Sequence, residues 1–255
     1  MEEKMLDKIK RFTKTKMFHL CMVIVIIAVI LFAVGIIALR YAVEGETNMP
    51  FELSKITVIS SSEGKDKVVE ASKWAFDINQ NNDIYLYIEK NDNSNKQEII
   101  KEIEINNINV EKNTEKGEIK IYKPTTAEEA TIFSNKEENE IQSIIYTGDL
   151  QSDLKQQKVS NQGGIIAFRY GLNNVSEYLS QEEEINHSEL LKKSNVTEED
   201  LKAKLIFDII IRLESGKEYK ASISLDVPVE GIVEKGTTSI EKTDLSDVVF
   251  KRIKN

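Results

Sequence analysis

Residues 205–227 read LIFDIIIRLESGKEYKASISLDV. Leu205, Phe207, Ile209, Ile211 and Leu213 share one parity, with Asp208, Arg212 and Glu214 between or beside them. Ser215-Gly216 is a turn signal. Tyr219, Ala221, Ile223, Leu225 and Val227 then alternate with Lys220, Ser222, Ser224 and Asp226, and Pro228 ends the run. Successive side chains of a strand point to opposite faces. This spacing therefore predicts an antiparallel hairpin with one buried and one solvated face.

The same period of two recurs upstream. Leu53, Ile56 and Val58 predict a strand that turns at Ser60 to Ser62. Trp74, Phe76 and Ile78 alternate with Ala75 and Asp77, and Gln80-Asn81-Asn82-Asp83 reads as a turn. Ile84, Leu86 and Ile88 then alternate with Tyr85, Tyr87 and Glu89, which completes a hairpin pattern. Residues 91–96 form a loop. Ile103 and Ile105 share one parity while Ile108 and Val110 share the other. A bulge or break at Asn106-Asn107 would keep both pairs in a core. Glu111 to Gly117 reads as a turn, and Ile119 and Ile121 give a short strand before Pro124. Residues 124–140 read as an acidic loop or short helix, and Ile141 to Tyr146 as a further strand. Asp149 to Gly164 is polar and reads as a loop. Ile165 to Tyr170 is apolar on nearly both parities, as a central strand would be.

Residues 174–203 are expected to form a small helical insert. Val175, Tyr178 and Leu179 have helical spacing, Ser188 to Lys193 would add a turn or two, and Thr197-Glu198-Glu199-Asp200 is a capping pattern. Val248, Val249 and Phe250 suggest a closing strand. Many short strands, turns and no βαβ rhythm predict a mainly β domain over 51–255. Its expected form is an antiparallel β-sandwich with the helical insert.

The N-terminal part is different in kind. Met17 to Leu39, MFHLCMVIVIIAVILFAVGIIAL, has 23 residues and no Asp, Glu, Lys or Arg. At ~1.5 Å per residue it spans ~34 Å, enough to cross a ~30 Å hydrocarbon core. A signal-peptide core is shorter, about 7–15 residues, so a single uncleaved transmembrane helix is expected. Residues 1–16 form a basic tail with Lys4, Lys8, Lys10, Arg11, Lys14 and Lys16 against three acids. The positive-inside rule places this tail in the cytoplasm and the rest of the chain outside. Arg11, Lys14 and Lys16 on one side, and Arg40 and Tyr41 on the other, are the expected interface anchors. Residues 40–50 read as a linker closed by Pro50. Cys21 lacks the small residues of a lipoprotein site, the glutamate of a pilin leader is missing, and no two small residues in the helix are four apart.

Residues 41–255 hold 27 of the 34 Lys and Arg and 40 of the 43 Asp and Glu, a net charge of −13. That charge argues against nucleic acid as a partner. The only Cys lies in the apolar run, so the outer part has no disulfide, which fits a bacterial envelope better than a secreted eukaryotic domain. The sequons at Asn174, Asn186 and Asn195 are then chance matches.

Few residues point to chemistry. His187 is the one histidine outside the apolar run and has no G-x-S-x-G partner motif, so it reads as a surface residue. Asn91, Asn93, Asn95 and Glu102 have EF-hand spacing but lack the glycine at the sixth position and the leading carboxylate. Glu182-Glu183-Glu184 and Glu198-Glu199-Asp200 read as solvated charge runs. No Walker or dinucleotide motif is present. No cofactor, metal or catalytic group is therefore expected. Tyr85 and Tyr87 stand on the parity opposite Ile84, Leu86 and Ile88. They are the candidate surface for stacking a glycan or anchoring an envelope protein.

In layout and composition the chain resembles the single-pass envelope proteins of low-GC Gram-positive bacteria such as Clostridia, with abundant Ile and Asn and three Pro. The resemblance implies no particular activity. The expected role is non-enzymatic binding, scaffolding or adhesion at the cell membrane, held to the bilayer through Met17 to Leu39. A ligand sensor working with a separate membrane partner is the second reading, and a cell-wall hydrolase the last.

Overall fold

The computed structural model describes residues 16–46, 49–67, 74–92, 94, 97–125, 132–133, 143–149, 156–180 and 186–253. The chain divides into two compact units, Met1–Thr47 and Asn48–Asn255.

Among the described residues the first unit contains one helix, α1, Lys16–Glu44. Its stretch Lys16–Ala42 is long and apolar enough to cross a membrane. The helix runs past Leu39, so Lys16, Arg40 and Tyr41 lie within it, and residues 40–44 are helical where a linker was expected. No Gly or Pro interrupts Arg40 to Glu44. Gly45 ends the helix with φ 71°, and its N–H donates to the Tyr41 carbonyl at 3.0 Å. This is the left-handed position that glycine fills at helix C-termini. Arg11 and Lys14 lie outside the described residues.

The second unit is built from eleven described strands: β1 (Phe51–Lys67), β2 (Trp74–Lys90), β3 (Ile100–Lys112), β4 (Glu118–Tyr122), β5 (Ser143–Thr147), β6 (Gln157–Lys158), β7 (Gly164–Ser180), β8 (Ala203–Leu213), β9 (Glu218–Asp226), β10 (Thr237–Lys242) and β11 (Lys251–Ile253). They form two sheets. The first has the order β10-β1-β2-β7-β4, all antiparallel. The second has the order β11-β9-β8-β3-β5-β6, with only β5 and β6 parallel. The inner faces of both contribute to one apolar cluster. Phe168 of β7 meets Phe207 of β8 edge to face at 5.1 Å, and both are fully buried. The fold is thus mainly β, as the alternating sequence predicts, with two sheets contributing to one core.

The β8–β9 hairpin forms as expected, with Leu205 opposite Leu225 and Ile211 opposite Tyr219. The parity switch at Asn106-Asn107 is a bulge: the β3–β8 register slips between Asn106 and Asn109, and Asn107 has φ 52°. Asn tolerates that conformation better than most residues. Thr197 and Asp200 make the expected cap, with the Thr197 N–H donating to Asp200 Oδ2 at 3.0 Å.

Four expectations are corrected. Ser60 to Ser62 do not turn, because β1 continues through them to Lys67. Gln80 to Asp83 do not turn either; they lie in the middle of β2. The helical insert does not begin at 174. Residues 174–180 are the end of β7, and the helical pieces are a 3-10 turn (His187–Glu189), α2 (Leu190–Lys193) and α3 (Glu198–Leu201). The β2–β7 register slips between Ile78 and Gln80, and Asn174 has φ 56°. That bulge leaves Leu172 and Val175 both buried three residues apart, which imitates helical spacing. Finally, Val248 to Phe250 form no strand. A further short helix, α4 (Ile232–Lys235), leads into β10, and the last strand is β11.

Leu190, Leu191, Val196, Leu201 and Ile232, from the helical pieces and the residues between them, join the apolar cluster. Gly64 lies under this cap: a Cβ there would come within 2.6 Å of Leu190 Cδ1.

Candidate functional site

Three surfaces of the second unit are candidates for function. The first is the outer face of the first sheet, where Tyr85 and Tyr87 stand as their parity predicts. Cross-strand pairing puts Thr57, Tyr85 and Ala167 in one row, and Lys55, Tyr87 and Ile165 in the next. Neither ring is bare. Tyr85 lies 6.5 Å from the Phe133 ring, which is itself buried and held in place by an isolated bridge between Pro124 and Phe133. Burial and the Asp83 carboxylate raise the Tyr85 pKa above its ordinary value. The Arg169 guanidinium stacks on Phe133 at 4.7 Å and grips Asp83 with two hydrogen bonds, at 2.5 and 3.0 Å. Lys55 sits over the Tyr87 ring at 4.3 Å and pairs with Glu241 at 3.2 Å. Amphipathic rings under cationic side chains gain modest cation–π stabilisation and lose free stacking area.

The second surface is the outer face of the second sheet, a ladder of charges. Arg212 of β8 bonds Glu102 and, at 2.6 Å, Glu104 of β3, and lies 3.6 Å from Glu218 of β9. Asp208 accepts from Asn107 Nδ2 at 2.6 Å and from the Ser222 hydroxyl, and pairs with Lys220 at 2.9 Å. Burial alone would raise the Asp208 pKa. Lys220, Ser222 and Asn107 outweigh it and hold the carboxyl below its ordinary value. A depressed folded-state pKa contributes stability that is present above the unfolded value, about 3.9, and is lost as pH falls through the lower folded value. Asp208→Asn should therefore lose less stability than the wild type between about pH 5 and pH 2, measured by urea unfolding. Parallel acid profiles would show that Asp208 is not a contributor.

The third surface was not visible in the sequence. β10 is the last strand of the first sheet, and beyond Lys220 the second sheet ends on β9. The chain partly closes this open side itself: Leu245 and Val248 pack on the core, and Phe250 is buried. Beside that plug a groove of about 540 Å³ remains. Ile56, Val58, Leu225 and Ile240 supply its apolar surface, and Asp226, Glu241, Lys242 and Asp244 its charges. Ile240 pairs with Val58, so both project from the inner face, yet Val58 is 1% exposed and Ile240 48%. An inner-face isoleucine left half in water marks a core that stops short of its last strand. Lys242 is neutralised by Asp247 at 2.7 Å and Glu241 by Lys55, which leaves the rim negative through Asp226 and Asp244. The Ser246 hydroxyl and N–H hold the Asp244 pKa below its ordinary value, so it stays ionised.

A tyrosine joins the two sheets near the other side. β4 pairs with β7 only from Arg169 to Asn173. At Ala167, where β4 has ended, the Tyr146 hydroxyl accepts from the Ala167 N–H at 3.1 Å and donates to its carbonyl. Burial raises the Tyr146 pKa well beyond its ordinary range.

The remaining sequence candidates are not brought together. The His187 imidazole packs edge to face on Phe76 at 5.8 Å, and His187 is exposed. Asn93, Asn95 and Glu182 to Glu184 lie outside the described residues. Glu198 accepts from the Gly231 N–H at 2.6 Å, and Glu199 pairs with Lys202, so these acids serve local structure. Among the described residues no group of three or more His, Cys, Asp or Glu is placed to hold a metal ion. Compared with protein families, with curated proteins and with solved structures, the chain finds no match.

Proposed function

We propose that the chain is a single-pass membrane protein whose strand-rich unit lies outside the cytoplasm and works by binding a partner in the cell envelope. The observation that carries this reading is the groove on the open side. Its volume falls in the range of ligand sites, about 300–1,000 Å³, and it combines an apolar surface with a few charges. The apolar helix and the basic residues before it support the tether and its orientation. The −13 charge of residues 41–255 supports a protein or glycan partner over nucleic acid. Tyr85 and Tyr87 rank second as a contact surface, because Phe133 and Lys55 already occupy part of each ring.

The test is photo-crosslinking in cells that make the protein. Ile240→p-benzoylphenylalanine should yield a discrete adduct. The same replacement of Ile145, exposed on the outer face of the second sheet, should not. No adduct at 240, or the same adducts at both positions, would contradict binding through the groove.

A further inference from the structure

We propose that the occupant of the groove is an extended peptide segment with alternating apolar and basic residues, added as a strand along the free edge of β10. The inference rests on the binding role above and specifies the partner's chemistry.

Three observations converge. Among the described residues β10 ends its sheet, and there one row of its backbone donors and acceptors has no strand partner. An added strand satisfies that row, which is how sheet edges capture extended peptides. Next to the edge, the inner faces of Ile56, Val58, Leu225 and Ile240 are within the groove. A strand there presents every second side chain inward, so apolar residues at a period of two would cover Ile240 and extend the core. The charge of the rim then selects the remaining positions. Lys242 and Glu241 are already paired, and Asp226 and Asp244 leave net negative charge. Basic side chains at the alternate positions would complement it.

The same charge disfavours a second copy of this chain. Pairing β10 with β10 would bring two acidic rims together on domains, residues 48–255, that each carry −11. Like charges placed face to face across an interface oppose association. The six residues of β10, Thr237–Lys242, set the contact length at ~20 Å.

The probe is the synthetic peptide Lys-Val-Lys-Ile-Lys-Val-Lys, blocked at both ends. It is compared with the same peptide carrying Glu for Lys, and with a form N-methylated at alternate residues. Binding is measured by fluorescence anisotropy to the full-length protein in zwitterionic nanodiscs, with empty nanodiscs subtracted. The Lys peptide should bind at least about tenfold more tightly than the Glu peptide, and added salt should weaken it. N-methylation should abolish binding, since it removes the main-chain donors. Ile240→Asn, and separately Asp226→Lys with Asp244→Asn, should each weaken binding about tenfold or more. These positions lie at the rim, and an unchanged melting temperature confirms that each variant is folded. Equal affinity for the Lys and Glu peptides, or unchanged affinity in both variants, would overturn the proposal. So would a dimer in sedimentation that Ile240→Asn dissolves, which would assign the edge to a second copy. If no peptide binds while position 240 still crosslinks in cells, the peptide chemistry is wrong and the binding role stands.

Discussion

Asn82→Ala should cost the strand-rich unit about 4 kcal/mol, among the largest losses that any single polar substitution in it would produce. Asn82 is fully buried in the middle of β2. Its Oδ1 accepts from the Ser60 hydroxyl at 2.6 Å and from Gln80 Nε2 at 3.1 Å, and its Nδ2 donates to the Tyr170 carbonyl at 3.2 Å. One side chain thus ties together β1, β2 and β7. Alanine would leave three buried polar groups without that partner, and each unsatisfied group costs ~1–3 kcal/mol. Ser60 and Gln80 are also fully buried, so water does not readily replace the lost partner. For a domain of this size the melting temperature should fall by about 10 °C. Replacing Ser60, Gln80 and Asn82 together by Ala, Leu and Leu should cost less than Asn82→Ala alone, because that change removes donors along with the acceptor. A loss below about 1 kcal/mol for Asn82→Ala, by urea unfolding of the full-length chain, would show that the cluster contributes little.

Phe207→Ala should cost a similar amount, about 3–5 kcal/mol, for a different reason. Phe207 is fully buried and meets Phe168 across the two sheets at 5.1 Å. Removing its ring forfeits the transfer energy and leaves a cavity between two sheets that each have their own hydrogen-bond ladder and cannot easily collapse. Pairing it with Phe168→Ala in a double-mutant cycle should return a coupling of about 0.5–1.5 kcal/mol for the edge-to-face contact. Strict additivity of the two losses would mean that the rings act independently.

These two side chains also mark what the sequence reveals and what it conceals. Phe207 is legible. It stands in a run where every second residue from Leu205 to Leu213 is apolar, and all five of these are buried. The bulge at Asn106-Asn107 is legible for the same reason, since two apolar parities in one strand require a slip. Asn82 is not. Gln80-Asn81-Asn82-Asp83 has the composition of a turn, and its true partners lie 22 and 88 residues away, at Ser60 and Tyr170. Local propensity favoured a turn, and non-local hydrogen bonds overrode it. Val175 and Tyr178 mislead in the opposite way, since the bulge around Asn174 turns both towards the core three residues apart, whereas Leu179 is exposed.

The candidate site was less legible than the fold. Parity gives the face of Tyr85 and Tyr87, but the Phe133 and Lys55 that cover them come from other segments. The groove left only a faint trace. Ile240 is the one apolar residue in Thr237–Lys242, and an isolated apolar residue in a polar strand gives no direction of its own. Its meaning depends on Val58 opposite and Leu225 on the other sheet, neither of which is near it in sequence.

The proposed function requires above all that the strand-rich unit lie outside the cytoplasm. Cys21 is the only cysteine in the chain, so Cys21→Ser gives a background on which Ser239→Cys places one thiol on the exposed edge of β10. In intact cells, a membrane-impermeant maleimide should label that thiol as fully as it does after permeabilisation. Labelling that appears only after permeabilisation would put the domain inside the cell and contradict the proposed function.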